Sequence, residues 1–521
     1  MKVNICAKGD KTMNMSNNNK GEIFETHPKR LCMPVCDRFV TTDISNDYTL
    51  PDYQPEIRRI LNVSSVVTPP AKYISATGAE FNGNVDYNIL YVGADGELYT
   101  VPLGAEYSFN VPIDSDGFDF NEGITSCTDS VVQNITTRLA GPRKLNIKCR
   151  IKSHARAYGT LVLDERVNGS APRDSVEILE ESCDNVKIVR VSSDILELSE
   201  EILRDGSNTR IVGADSKVFV SSVTPYDGSV NAQGEVYLKM LCADMNGGCM
   251  HEHITQRIPF SISMDLDDIA SNSSCSAKGY VSDVSVNVED GRVICDLGVF
   301  VDVEAQTAMP VKYVKDMYST QNESSCLFRD YNVPTHGYTH NGNFSMNERV
   351  LRENLSLPEE CRIADVYASA IVDNTEVSEN RATVLGNIKY TLILCSNGEY
   401  SSADIVLPAK YEFDVDGIDI SSCESSMSVL FCRARMDVDS ISLDAEIGVA
   451  SSGVGSTDIM TLDEINFGSE IVKRKGEITV CYRGAEDSLW SIAKKYHIST
   501  SHIEKMNSMS ENIQDREYIV I

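Results

Sequence analysis

Apolar and polar residues alternate one by one along much of the chain, the period of a strand buried on one face, and Asp-Gly or Asn-Gly pairs punctuate the alternation. The pattern is sharpest in Gly83-Asn84-Val85-Asp86-Tyr87-Asn88-Ile89-Leu90-Tyr91, closed by Asp95-Gly96. It returns as Gly234-Glu235-Val236-Tyr237-Leu238-Lys239-Met240-Leu241-Cys242 with Asn246-Gly247, and as Gly386-Asn387-Ile388-Lys389-Tyr390-Thr391-Leu392-Ile393-Leu394 with Asn397-Gly398. The starts at 83, 234 and 386 lie 151 and 152 residues apart. Each copy predicts a β-hairpin, because these residue pairs supply the positive φ that a tight turn demands.

Other landmarks keep the same order and nearly the same period. Tyr107, Phe109 and Val111 match Phe260, Ile262 and Met264, and then Tyr411, Phe413 and Val415. A late strand matches Cys149 and Ile151 to Cys295 and Leu297, and then to Leu443 and Ala445. The fold class predicted is mainly β, with three repeated antiparallel β-sandwich-like modules. Two segments depart from the strand pattern. Ile57, Ile60 and Leu61, after Leu50-Pro51-Asp52, fall at helical spacing and predict one short helix, and the polar span 319–345 predicts an exposed loop that carries His336 and His340. The expected division is a flexible tail over 1–38, β modules over 39–175, 176–335 and 336–449, a Gly/Ser linker over 450–476 and a separate domain over 477–521.

That last domain follows another rule. Ile478 to Tyr482 reads as a strand, and Asp487 or Ser488 caps a helix in which Leu489, Ile492, Ala493 and Tyr496 share one face. A second helix begins at Ser499 or Thr500, with Ile503 and Met506 on one side, and Glu517 to Ile521 closes a small α+β unit of order βααβ.

A chain of 521 residues with 42% hydrophobic content builds several cores. The net charge of −30 sets it against nucleic acid and anionic membranes, which reward clustered Lys and Arg. The last domain carries almost none of that charge: Arg483, Lys494, Lys495, Lys505 and Arg516 face Glu486, Asp487, Glu504, Glu511, Asp515 and Glu517. Residues 1–19 hold no apolar leader and no run of about 18 apolar residues occurs, so a cytoplasmic protein without a transmembrane segment is expected. In that compartment the 16 cysteines are expected as thiols.

No phosphate loop, nucleophile elbow or zinc-protease helix is written in the chain, so no enzyme and no cofactor are expected. Cys242, Cys249, His251 and His253 offer zinc-type donors, but modules one and three carry Tyr99 and Tyr400 near the aligned positions, so the framework does not need them. Cys32 and Cys36 lack a second pair at matching spacing. No metal site is expected. Trp490 is the chain's sole tryptophan, and core packing, partner contact or both would suit it.

Val480, Gly484, the run Ser488 to Tyr496, Ile498, Ile503 and Asn507 resemble the LysM domain. The resemblance implies a shallow groove, between the loop after the first strand and the loop before the last, that takes N-acetylglucosamine polymers. The Gly484 to Leu489 turn is two residues longer than usual, and Ile513-Gln514-Asp515-Arg516 replaces the usual Pro-Gly-Gln. Both changes fall on the groove loops, so a domain that keeps this fold and binds a protein instead is expected. Leu-Pro-Asp, repeated hairpin units and a final LysM domain are similar to the SPOCS-domain proteins of spore-forming Clostridia. That resemblance implies a non-enzymatic scaffold in the mother-cell cytoplasm at the forespore surface. It would bind the coat basement-layer ATPase SpoIVA through LysM, with other coat proteins as further partners and peptidoglycan as the alternative ligand. The residues expected at the partner are Gly484, Asp487, Ser488, Leu489, Trp490, Ile492, Lys494, Asn507 and Ile513.

Overall fold

The computed structural model describes residues 29–75, 77–113, 117–119, 123–202, 209–244, 251–289, 292–355, 357, 360–378, 380–415, 420–472, 479–482, 484, 487–507 and 518–521. The first module holds β1 (Lys29–Thr49), β2 (Ile57–Val67), β3 (Ala71–Ser75), β4 (Gly78–Gly93), β5 (Leu98–Pro112), β6 (Ile124–Gly141), β7 (Lys144–Leu163) and β8 (Arg166–Asn168). The second holds β9 (Val176–Ser192), β10 (Leu196–Ile202), β11 (Thr209–Tyr226), β12 (Ser229–Asp244), β13 (His251–Asp265), β14 (Ser274–Glu289) and β15 (Arg292–Ser319). The third holds β16 (Asn322–Leu351), β17 (Arg362–Ser378), β18 (Arg381–Ser396), β19 (Glu399–Asp414), β20 (Ile420–Met436) and β21 (Ser440–Glu470). Then follow β22 (Val480–Tyr482), α1 (Leu489–Tyr496), α2 (Thr500–Met506) and β23 (Tyr518–Val520).

Each module is a sandwich of one topology. A meander, β2-β4-β5, β11-β12-β13 or β17-β18-β19, stacks on a second sheet whose last strand lies in the middle: β1-β7-β6, β10-β15-β14 or β16-β21-β20. Alternate side chains of the repeated strand, Val85, Tyr87, Ile89 and Tyr91 in the first copy, fill the interior against Leu145, Ile147, Cys149 and Ile151. The glycine that opens each copy has a steric cause. A Cβ on Gly83 would meet the Tyr107 ring at 2.7 Å, and one on Gly234 or Gly386 would collide with the carbonyl of Phe219 or Ile371. At the other end the turns take the expected left-handed backbone, φ +86° at Gly96, +50° at Asn397 and +81° at Gly398.

The three sandwiches close into a ring with pseudo-threefold symmetry. Thr100 Oγ1 of the first donates to Val212 O of the second (2.6 Å), His253 Nε2 of the second meets Ala364 O of the third (3.0 Å), and Arg59 of the first donates to Tyr400 O of the third (3.0 Å). On the axis sits a buried apolar cluster of matched triplets: Leu61, Val212 and Ala364; Leu90, Leu241 and Ile393; Val92, Ala243 and Cys395. The first triplet occupies the extra residue of a β-bulge in each module, between Ile60 and Asn62, Ile211 and Gly213, and Ile363 and Asp365. A bulge re-aims a side chain, and here it turns an apolar residue out of its own sandwich toward the axis.

The expected helix over 57–61 is therefore strand β2. Bulges at 58 and 61 break the two-residue period and imitate helical spacing. The expected loop 319–345 is most of β16, paired with β21 along its length, and the expected linker 450–476 continues β21 as far as Glu470. Residues 29–38 of the expected tail belong to β1, where Cys32 and Cys36 pair with β7. The boundary expected at 336 falls inside β16. The late strand of the first module aligns two residues away from the sequence match, while the match of Cys295 and Leu297 to Leu443 and Ala445 holds, because equivalent bulges lie opposite Ile151, Val299 and Ile447. A slip of two keeps every residue on its face.

Beyond the sandwiches the paired strands β1/β7, β9/β15 and β16/β21 run on as three arms. Apolar clusters such as Leu31, Leu161, Tyr313, Val333 and Ile459 bind them together. Between the arms and the ring lies a buried ionic cluster. Arg156 meets Glu304 (3.0 Å), Glu424 (3.1 Å) and Asp129 (3.6 Å), Lys278 meets Asp129 (2.8 Å), and Arg190 pairs with Asp302. Burial alone would raise Asp129, but Lys278 and Arg190 hold it well below the carboxylate range.

Candidate functional site

The C-terminal domain is small enough that caps and a few core residues decide its stability. Ser488 Oγ accepts from the Ser491 amide (3.0 Å) while Ser491 Oγ accepts from the Ser488 amide (2.9 Å), a reciprocal cap that fixes where α1 begins. His497, at φ +51°, ends the helix in the left-handed region. Ser499 caps α2 through the His502 amide (3.2 Å). Ile492, Ala493, Ile503, Cys481 and Ile519 form the core.

The sequence-expected partner residues have separate duties. Ile492 is core and Leu489 packs against it. Asn507 is buried and staples the fold, its amide donating to Ile503 O (2.8 Å) and Val520 O (2.7 Å) and its oxygen accepting from the Val520 amide (2.8 Å). Asp487 accepts from the Gly484 amide (2.7 Å) and closes the turn, and Ser488 is the helix cap. Gly484 and Ser488 are exposed. Ile513 lies outside the described residues, as does 508–517 as a whole.

Trp490 and Lys494 converge on a residue of the second module. Trp490 Nε1 donates to Asp316 Oδ2 (2.8 Å), and Lys494 Nζ reaches Asp316 Oδ1 (2.6 Å) and Oδ2 (2.8 Å). A β-bulge at Lys315 aims the Asp316 carboxylate out of β15. Two residues on, fully buried Tyr318 sets its ring edge-on to Trp490 at 4.9 Å and donates its hydroxyl to Ile498 O (2.7 Å). Burial, reinforced by Glu177 and Asp316, raises the Tyr318 phenol and keeps it a donor. His497 Nδ1 to Ser319 O (3.1 Å) and Thr500 Oγ1 to Glu177 (3.3 Å) complete the joint. Tyr318 is thus part of the small domain's core, contributed by another module. No periodicity marked Asp316 or Tyr318, because both sit in an ordinary-looking strand and their partners lie some 170 residues later, a 174-residue separation for the Trp490 bond.

This arrangement does one chemical thing well: an indole N–H and an ammonium hold one carboxylate beside an aromatic edge. Elsewhere, Tyr482 and Tyr518 stand exposed as a cross-strand pair on β22 and β23, ring centroids 6.4 Å apart. Of the zinc-type donors, Cys242 is buried in β12 and His253 is engaged at Ala364 O, while Cys249 and the His251 side chain lie outside the described residues. Among the described residues no three His, Cys, Asp or Glu are grouped to hold a metal ion, and no helix is long and apolar enough to cross a membrane.

A family model described as the SipL SPOCS domain matches residues 209–289, and a LysM-domain model matches residues 484–516. The chain has the SipL-type architecture, SPOCS ahead of a C-terminal LysM domain. No curated protein and no solved structure matches it. The SPOCS match spans β11 to β14, the meander and the next strand of the second module, and the flanking modules repeat that topology. SPOCS and LysM are non-catalytic domain types.

Proposed function

We propose that this SipL-like sporulation protein is a non-enzymatic morphogenetic scaffold of the spore coat, working in the mother-cell cytoplasm at the forespore surface. Its LysM domain binds the coat basement-layer ATPase SpoIVA, and its three-module ring presents surfaces to other coat proteins. The observation that carries this reading is the order of domains, SPOCS then LysM, with the LysM domain seated on the body by Trp490, Lys494 and Asp316. Capture of SpoIVA by the full chain, and its loss when 479–521 is removed, is the expected result. Undiminished capture by the shortened chain would contradict it.

The exposed pair Tyr482 and Tyr518 favours a second reading, in which the LysM domain holds an N-acetylglucosamine polymer against aromatic faces. Calorimetry of the full chain with chitin oligomers separates the two. Saturable heat that disappears with Tyr482→Ala and Tyr518→Ala selects the glycan.

A further inference from the structure

The contacts at Trp490 describe what that face recognises. Its two main ligands belong to one short extended segment of β15, the Asp316 carboxylate, taken by Trp490 Nε1 and Lys494 Nζ, and the Tyr318 ring and hydroxyl two residues later, while the Phe328 ring of β16 lies 6.0 Å from Lys494 Nζ and Glu177 of β9 accepts from Thr500 at the edge. In a strand, residues i and i+2 share a face, so one Asp-x-aromatic stretch delivers both groups at once. The ammonium is only partly covered, with 35% of the Lys494 side chain exposed against 17% of Asp316. A competing carboxylate therefore has a way in. The body holds the LysM domain here by a handful of polar contacts and two rings, Tyr318 against Trp490 and Phe328 under Lys494, not by a broad apolar interface.

We propose that the Trp490 face is a receptor for an extended protein segment carrying a carboxylate two residues from an aromatic ring. The chain's own Asp316–Tyr318 segment fills it until a partner segment of that chemistry takes its place. The receptor and its occupancy stand on the geometry alone. The identity of the displacing protein rests on the SpoIVA reading above. Self-occupancy lowers apparent affinity for any outside segment by the fraction of molecules in which the face is free, and weakening the internal segment restores it.

Trp490 is the sole tryptophan, so its emission reports the joint without a label. The probe is a synthetic peptide copying residues 312–320, with a control peptide in which the aspartate is replaced by asparagine. In the full chain, Asp316→Ala is expected to shift the emission to the red. The peptide then binds Asp316→Ala about tenfold or more tighter than the parent chain and returns the emission toward its original position, while the asparagine peptide does neither. Asp316→Asn, which keeps the side-chain shape, gives the same ranking if Asp316→Ala loses far-ultraviolet dichroism. Unchanged emission in both variants, or equal peptide affinity for parent and variants, overturns the proposal. SpoIVA capture should rise in Asp316→Ala. If emission and peptide binding behave as stated while SpoIVA capture does not rise, the receptor stands and the SpoIVA assignment falls.

Discussion

Leu90, Leu241 and Ile393 meet on the axis as three copies of one position, whereas the charges among the arms meet as copies that have diverged. Counted from the equivalent bulges, Asp129 of the first module corresponds to Lys278 of the second and Ser426 of the third, and Arg156 corresponds to Glu304 and Ser452. The matched positions of modules one and two carry opposite charges and bind each other, Lys278 to Asp129 at 2.8 Å and Arg156 to Glu304 at 3.0 Å. An apolar cluster tolerates three similar contributors, since burial has no direction. A buried charge tolerates only its complement. The axis thus holds three modules together, and the arms dictate which module stands beside which.

The largest effect expected from breaking this contrast comes from the charges. Arg156→Ala leaves the Glu304 and Glu424 carboxylates buried without their cation and should cost about 3–5 kcal/mol in urea unfolding. Exchanging the pair, Arg156→Glu with Glu304→Arg, should recover only part of that loss, because the carboxylate placed at 156 also faces Glu424 and Asp129. On the axis, Leu90→Ala, Leu241→Ala and Ile393→Ala should each cost about 2–5 kcal/mol and resemble one another. One value far below the other two would show that the cluster is not shared.

How much of this contrast shows in the sequence depends on which face a residue serves. The sandwich interiors are legible, because Val85, Tyr87, Ile89 and Tyr91 alternate with polar residues and end at a positive-φ turn. The axial residues leave only a hint, an apolar run at Ile89-Leu90-Tyr91-Val92 in which both faces of the strand are buried, against the sandwich and against the axis. The long strand β16 is illegible. His340 in β16 reads as a solvated loop residue, yet it stacks on Phe413 at 4.0 Å, and burial lowers its pKa. Apolar content cannot announce a strand whose neighbours come from three distant segments. The LysM helices are plain from Leu489, Ile492, Ala493 and Tyr496, and Trp490 stands out, but Asp316, which holds it, carries no local signal.

Acidity tests the ionic side at smaller amplitude. Burial opposes the His154 cation, but hydrogen bonds with Asp37 (2.6 Å) and contact with Glu424 (3.5 Å) outweigh it and raise its pKa from 6.5 to about 9. A raised pKa in the folded state means that the contribution is complete below about pH 6.5 and fades as pH rises through 9, on the order of 3 kcal/mol in full. Urea midpoints taken at pH 6.5 and 9.5 should fall for the parent chain and fall less for His154→Gln. The smallest effect belongs to the third copy. Ser426→Ala and Ser452→Ala, at positions where the other modules carry charges, should stay within about 0.5 kcal/mol of the parent.

The central claim is that three copied sandwiches form one closed body through a shared axis. Hydrogen exchange followed by mass spectrometry in Leu241→Ala tests it most directly, because β4, β12 and β18 each bring one member of the central triplet to that axis. The account predicts that protection falls in all three strands together, although only the second module is altered. Loss of protection confined to β12 and its own sandwich, with β4 and β18 unchanged, would contradict it.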